Sequence, residues 1–196
     1  KHLIDRLITF GIDNIFISVN YLANQIIDYF KNGSEKGIFI NYIIEDVPHG
    51  TIGALSNCNT YPHDHILLMN SDILTDIDFE DFYTTYLNSN ADMAVAAVPY
   101  KIDVPYAVLE TRGNEIISFK EKPTYNYYTN SGIYLIKREL LNHIPKNTFF
   151  DATDFIDTLL KLNKKVISYE IRSYWLDIGK HEDYKKANED IKHIQL

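Results

Sequence analysis

Asp72 and Asp177 each stand just past an apolar, extended run, the first after Ile66 to Met69 and the second after Trp175 and Leu176. A carboxylate at a strand terminus is placed to hold Mg2+, which takes one or two carboxylates and leaves its other positions to water and substrate phosphates. Taken singly, a turn-capping aspartate explains each of them at least as well. Gly50, Thr51, Ile52 and Gly53 follow another apolar run, Ile38 to Ile44. Two glycines that open a helix there turn backbone N–H groups and the positive dipole end outward, where a nucleotide base or phosphate can lie. A plain glycine turn accounts for the same residues. Lys120, Glu121, Lys122 and Pro123 form a fourth segment. It can offer an ammonium to a phosphate and a carboxylate to hydroxyls, or be a solvated strand end. His63, Asp64 and His65 supply too few ligands at a weak spacing for a metal. Asp151 and Asp154 read as caps of a helix start.

The elements that must carry these residues alternate along the chain. Leu3, Ile4, Leu7 and Ile8 make an amphipathic helical stripe that stops at Gly11, where a left-handed cap is wanted. Ile15 to Val19 is a β-branched strand, Leu22 to Phe30 a helix, and Ile38 to Ile44 the next strand. Ile66 to Met69 reads as a strand and Phe79 to Leu87 as a helix behind the N-cap Asp78. Tyr106 to Thr111 and Glu115 to Lys120, around Arg112, Gly113 and Asn114, form a hairpin. Ile133 to Ile136 is a strand, Asp154 to Leu162 a helix, Val166 to Ile171 a strand and Glu182 to Ile194 a charged terminal helix. Such alternation predicts an α/β fold, a doubly wound and mostly parallel sheet with an antiparallel hairpin inserted.

The 196 residues suit one domain, residues 1–196, with no repeat or linker. With 19 Lys plus Arg against 27 Asp plus Glu the net charge is −8, and no basic run exceeds two residues. The clustered positive charge that a nucleic-acid partner needs is missing. The apolar runs fall far short of the roughly 20 residues that span a bilayer, so no membrane partner is expected. Cys58 is the only cysteine, which fits a reducing cytoplasm. A homo-oligomer is compatible with all of this.

Taken in order, the segments resemble the sugar-1-phosphate nucleotidylyltransferase family, which has a Rossmann-like fold and joins an NTP to a sugar 1-phosphate with release of pyrophosphate. Gly50-Thr51-Ile52-Gly53-Ala54-Leu55 is similar to the family's base-binding turn, and Asn70-Ser71-Asp72 to its metal-binding turn. Tyr106-Ala107-Val108 and Asn130-Ser131-Gly132-Ile133-Tyr134 resemble its sugar-site segments, and Trp175-Leu176-Asp177-Ile178-Gly179 the one that supplies the second metal carboxylate. Glu121-Lys122-Pro123 matches Glu-Lys-Pro, whose Glu contacts the sugar and whose Lys meets its phosphate. The resemblance therefore implies Mg2+ on Asp72 and Asp177, Lys122 as the catalytic cation, Gly50 and Thr51 at the base, and Tyr106, Ala107, Glu121 and Asn130 at the sugar.

The sequence departs from the family in two ways. Ala107 replaces a glycine, which crowds a place where backbone approaches the sugar. The glycine-rich, arginine-containing loop that follows the family's first strand and grips the triphosphate has no counterpart. This implies weak or absent turnover by the chain alone, and unpaired backbone groups where that strand would lie. Glu45, five residues before Gly50, is a candidate for the base edge; a carboxylate only accepts, and guanine presents N1–H and N2–H2 donors, so GTP is favoured over dTTP. Two rival readings remain: a catalytically silent domain that binds nucleotide sugars, and a metal-dependent glycosyltransferase using Asp76-Ile77-Asp78.

Overall fold

A computed structural model describes residues 2–57 and 61–194; Cys58 lies outside the described residues. The elements run α1 (His2–Thr9), β1 (Asn14–Val19), α2 (Ala23–Phe30), β2 (Phe39–Ile44), the single turn α3 (Gly50–Gly53), β3 (His65–Met69) and β4 (Ile73–Thr75). They continue with α4 (Phe79–Asn88), β5 (Met93–Asp103), β6 (Val108–Arg112), β7 (Glu115–Lys120), β8 (Thr124–Lys137), α5 (Ala152–Lys161), β9 (Val166–Glu170), β10 (Trp175–Asp177) and α6 (His181–Asp190). Local chemistry marks several ends. Gly11 turns left-handed after α1, at φ +75°, and the Asp78 carboxylate accepts from the Asp81 N–H at the start of α4.

The main sheet has the order β3-β8-β5-β9. β8 runs antiparallel to both its neighbours and β5 is parallel to β9, so β3, β5 and β9 share one direction. The α/β fold with a largely parallel strand direction is thus present, with β8 as the reversed strand. β1 and β2 form a parallel pair, and β4 and β10 an antiparallel one. Side chains alternate across β8. Ile133 and Leu135 join Phe79, Phe82 and Ile171 on one face. Tyr134 and Ile136 join Ile52, Leu140, Phe155 and Leu159 on the other. α4 and α5 therefore cover opposite faces, as a sheet apolar on both sides requires.

β1 hydrogen-bonds β2 and β3 hydrogen-bonds β8. Among the described residues no backbone bond links β1 to β3, although their side chains share both cores. Ile15, Leu67 and Met69 all pack against one core, and Phe16, Ile66 and Leu68 against the other.

Two features exceed the sequence expectation. β8 is 14 residues long, not four, and its first half pairs with the end of β5 from Val98↔Thr129 to Asp103↔Thr124. The expected hairpin, β6–β7, sits at the tip of this two-stranded ribbon, and together they form an arm. One face of the ribbon carries Tyr100, Ile102, Tyr125 and Tyr127; the other carries Lys101, Asp103, Thr124 and Asn126. No helix among the described residues is long and apolar enough to cross a membrane.

Asp92 ties the start of β5 to both flanking strands. Its carboxylate accepts from Lys137 Nζ at 2.8 Å and from the Lys165 N–H at 2.9 Å. The Lys137 hydrogen bond, with help from Lys165, holds the Asp92 carboxyl below the usual carboxylate range against the opposing effect of burial. A lowered folded-state pKa stabilises the fold above the unfolded value near 3.9, and that contribution disappears as pH falls through the folded value. Asp92→Asn is expected to cost about 1.5–3 kcal/mol at pH 7. In urea melts the gap to wild type should close as the pH is lowered below about 4. A gap that persists at pH 2.5 refutes the assignment.

Candidate active site

The site forms where β3 and β10 end and where Gly132 interrupts β8. Asn70, directly after β3, donates its N–H to the Gly132 carbonyl at 2.9 Å. Gly132 interrupts β8 in a left-handed conformation, φ +77°, and a Cβ there would come within 2.7 Å of Asn70 Nδ2. Glycine suits both the left-handed φ and the room taken by the Asn70 side chain. Asn130 is held from both ends of its amide: Oδ1 accepts from the Gly132 N–H at 3.0 Å and Nδ2 donates to the Tyr134 hydroxyl at 2.8 Å. Buried Ser131 donates to the Ala96 carbonyl, and its own carbonyl accepts from Trp175 Nε1 at 3.0 Å. That last bond pins the first residue of β10 to β8.

β10 then lies against β4, with Asp177 opposite Ile73, and the Ile178 N–H donates to the Asp72 carbonyl at 2.8 Å. Asp72 and Asp177, more than a hundred residues apart in sequence, therefore occupy adjoining strand ends, both exposed. Their oxygen donors suit a hard cation such as Mg2+, which keeps several waters and needs one or two carboxylates. Among the described residues no group of three or more His, Cys, Asp and Glu gathers into a metal cluster.

On the opposite wall, α3 starts at Gly50, φ +77°, where a Cβ would come within 2.7 Å of Asp151 Oδ1 and of the Phe150 carbonyl. The Ile52 and Gly53 N–H groups donate to that carbonyl at 3.2 and 3.1 Å. Asp151 Oδ1 accepts from both the N–H and the hydroxyl of Thr51, each at 3.0 Å. Between the walls lies a cavity of about 280 Å3 lined by Thr51, Asn70, Asn130, Tyr134, Asp151 and Asp177, among others. Burial pushes the Tyr134 phenol above its ordinary range, opposed by the Asn130 hydrogen bond and reinforced by the Asp151 charge.

Of the residues expected at the site, the fold gathers Thr51, Asn130 and Asp177 in the cavity, Asp72 beside Asp177, and Gly50 behind Thr51. Tyr106, Ala107, Glu121 and Lys122 do not line it. They sit in the two links between the ribbon and the β6–β7 hairpin, where the Val104 N–H donates to the Pro123 carbonyl at 3.1 Å. Lys122 takes a left-handed φ of 44° there, and Tyr106 is 75% exposed.

Glu45 is held by its neighbours. Its carboxylate accepts from Ser18 Oγ through one oxygen and, through the other, from the His49 N–H at 2.8 Å with the His49 ring at 3.0 Å. At 9% side-chain exposure it braces the turn before Gly50. Asp78 is spent on its cap, and neither it nor Asp76 lines the cavity, which removes the Asp-x-Asp reading. Asp64 pairs with Arg138 and His65 faces the Tyr86 hydroxyl, so the His-Asp-His run is structural. Sequence reasoning missed Asp151 as a cavity residue and gave Tyr134 only as the end of a sugar-site-like segment. Asp151 carries the pattern of a helix cap, and nothing local shows that it reaches 100 residues back to Thr51.

A cavity at strand ends is where open α/β sheets bind ligands. The chain belongs to the nucleotidyl transferase family, whose sequence model matches residues 1–194. It is 30% identical over 186 residues to D-glycero-alpha-D-manno-heptose 1-phosphate guanylyltransferase of Aneurinibacillus thermoaerophilus, covering 93% of this chain and 80% of that protein. It is 25% identical over 198 residues to mannose-1-phosphate guanylyltransferase of Mycobacterium tuberculosis, covering 97% of this chain and 55% of that one. The chain thus spans about half the length of several curated relatives that it matches. HddC from Yersinia pseudotuberculosis, solved in complex with GMP-PN, superposes with a TM-score of 0.73 at 26% identity, covering 97% of this chain and 84% of that one.

Gly132→Ala forces both a strained φ and an overlap with Asn70, and is expected to cost more than about 1 kcal/mol. The same change should weaken nucleotide binding, because Asn70 and Asn130 move together. Urea melts and a GTP titration read the two effects, and a variant unchanged in both contradicts the packing described.

Proposed function

We propose that the chain is the nucleotidyl-transfer unit of an enzyme that joins GTP to a hexose or heptose 1-phosphate. The observation that carries this reading is the meeting of Asp72 and Asp177 at adjoining strand ends beside the cavity. The guanine preference is supported by the names of the relatives and not by Glu45. In the proposed reaction an oxygen of the sugar phosphate attacks the α-phosphorus in line, a P–O bond forms, and the bond to the β-phosphate oxygen breaks to release pyrophosphate. Gly50 and Thr51 hold the base side, and Asn130 the sugar with Tyr106, Ala107 and Glu121 from the arm. Lys122 meets the incoming phosphate and offsets its charge. Mg2+ held by Asp72 and Asp177 would supply charge stabilisation at the reacting phosphates. A cytoplasmic setting belongs to the same proposal, since nucleoside triphosphates are held there.

The sequence contains no glycine-rich, arginine-bearing loop to grip a triphosphate. We therefore expect this chain to bind nucleotide and nucleotide sugar with little turnover in a pyrophosphate-release assay. Calorimetry with GDP-mannose and Mg2+ is the direct test. Asp72→Asn and Asp177→Asn are each expected to weaken Mg2+-dependent binding by about tenfold or more while the melting temperature stays within a few degrees. Unaltered binding in both variants sinks the metal assignment.

Self-association is part of the proposal, through the uncharged ribbon face of Tyr100, Ile102, Tyr125 and Tyr127. Tyr100 and Tyr127 are 55% and 51% exposed and the face points away from the polar side of the arm. Alternation of this kind marks a sheet with one covered face, and two-stranded ribbons are marginal alone. Between copies that each carry a charge of −8, an uncharged patch is where approach costs least. Sedimentation equilibrium is expected to give a dimer for the wild type and a monomer for Ile102→Lys, whereas Lys101→Glu on the opposite face stays dimeric. A monomeric wild type at 100 µM (roughly, the micromolar range of weak interfaces) contradicts this.

A further inference from the structure

Asp151 and Thr51 meet across the cavity wall in a way that fixes the direction of a hydrogen bond, and this inference rests on the nucleotide reading given above. Asp151 Oδ1 accepts from the Thr51 N–H and from the Thr51 hydroxyl, both at 3.0 Å. A carboxylate accepts and cannot donate, and a hydroxyl has one proton and two lone pairs. The single proton of Thr51 Oγ1 is thereby committed to Asp151. What the threonine turns toward the cavity is an acceptor, and its backbone N–H is already used. The contact is not adjustable: Gly50 sits so close that a Cβ would fall 2.7 Å from the same Asp151 oxygen, and the neighbouring Phe150 carbonyl binds the Ile52 and Gly53 N–H groups.

We propose that Asp151 is a specificity-determining residue that sets the polarity of Thr51, so that this wall selects a nucleobase whose edge presents adjacent donors. Guanine does so through N1–H and N2–H2. Thymine and uracil present a single N–H between two carbonyls, and those carbonyls face lone pairs here. A site built to pair with donors rejects the analogue that lacks them, because polar groups are then left unpaired. Asparagine at position 151 removes the constraint: its amide can donate to Thr51 Oγ1, which frees the hydroxyl proton to point into the cavity.

The test is calorimetric titration of the whole chain with GTP and with dTTP, each with Mg2+, read as the ratio of the two affinities. The wild type is expected to favour GTP, and Asp151→Asn to lower the ratio about tenfold, the worth of one hydrogen bond to a charged partner. Thr51→Val should lower it equally, and Thr51→Ser, which restores the hydroxyl, should recover it relative to valine. Asp154→Asn perturbs the same helix start, where Asp154 accepts from the Asp151 N–H at 3.1 Å. It is expected to lower the melting temperature without changing the ratio. If Asp151 only props the fold, its variant weakens both nucleotides alike and the ratio stays put, which overturns the proposal. A Thr51→Val chain that retains the wild-type ratio overturns it too, and covers the case in which Asp151→Asn fails to fold. A wild type that binds neither nucleotide refutes the nucleotide reading itself, a result distinct from an unchanged ratio.

Discussion

The site depends on the left-handed turn at Gly132 and on the room it leaves for the Asn70 side chain. With no side chain there, Asn70 seats its amide against the β8 bulge and donates to the Gly132 carbonyl. The next residue along, Ser131, then offers its carbonyl to Trp175, which fixes where β10 begins. β10 in turn registers Asp177 opposite Ile73 and brings Ile178 onto the Asp72 carbonyl. A chain of backbone contacts thus places two acidic residues side by side without either needing a partner of its own. An added methyl group at Gly132 acts on every later link, because close-packed interiors pass on displacement rather than absorb it.

Much of the scaffold was legible because apolar periodicity reports burial. Ile66 to Met69, Phe79 to Leu87 and Val166 to Ile171 are runs whose faces the two cores cover, and the structure has elements at each. The strand order was less accessible. That β8 passes antiparallel between β3 and β5 is set by long-range pairing, and no local pattern encodes it. The ribbon half of β8 was missed for a different reason: Thr124 to Asn130 mixes three tyrosines with polar residues without strict alternation, and tyrosine is ambiguous between a covered and an exposed position. β4 and β10, three residues each, are too short to show a period at all.

The site was legible as an ordered set of short segments, not as a geometry. Asp72, Asp177, Thr51 and Asn130 were found by their places after apolar runs or in family-like motifs, and the fold brings them near one cavity or its edge. The setting of Glu45 was not legible, because its distance from Gly50 in sequence says nothing of direction. The carboxylate turns back to His49 and Ser18, where it satisfies a buried N–H that would otherwise cost about 1–3 kcal/mol. Asp151 was hidden by its double use. Its position at the start of α5 explains the residue completely until Thr51 is seen beside it.

Charge decides how a nucleotide can lie against this surface. Two carboxylates, Asp151 and Asp177, line the cavity, and no lysine or arginine does. A phosphate about 4 Å from either would meet a repulsion of about 4 kcal/mol per charge pair at an effective dielectric of 20, more than a hydrogen bond or two can offset. The interior is therefore suited to hydroxyls and to the donor edge of a base. Phosphates are left to the rim, where Asp72 and Asp177 adjoin and a divalent cation can reverse the sign of the local field. Lys122 lies on the arm, outside the cavity, with a left-handed φ of 44° in the link where the Val104 N–H donates to the Pro123 carbonyl. The arm carries different chemistry on its two faces, Tyr100, Ile102, Tyr125 and Tyr127 on one and Lys101, Asp103, Thr124 and Asn126 on the other. Antiparallel pairing makes this possible, because alternate residues of one strand answer to different surroundings.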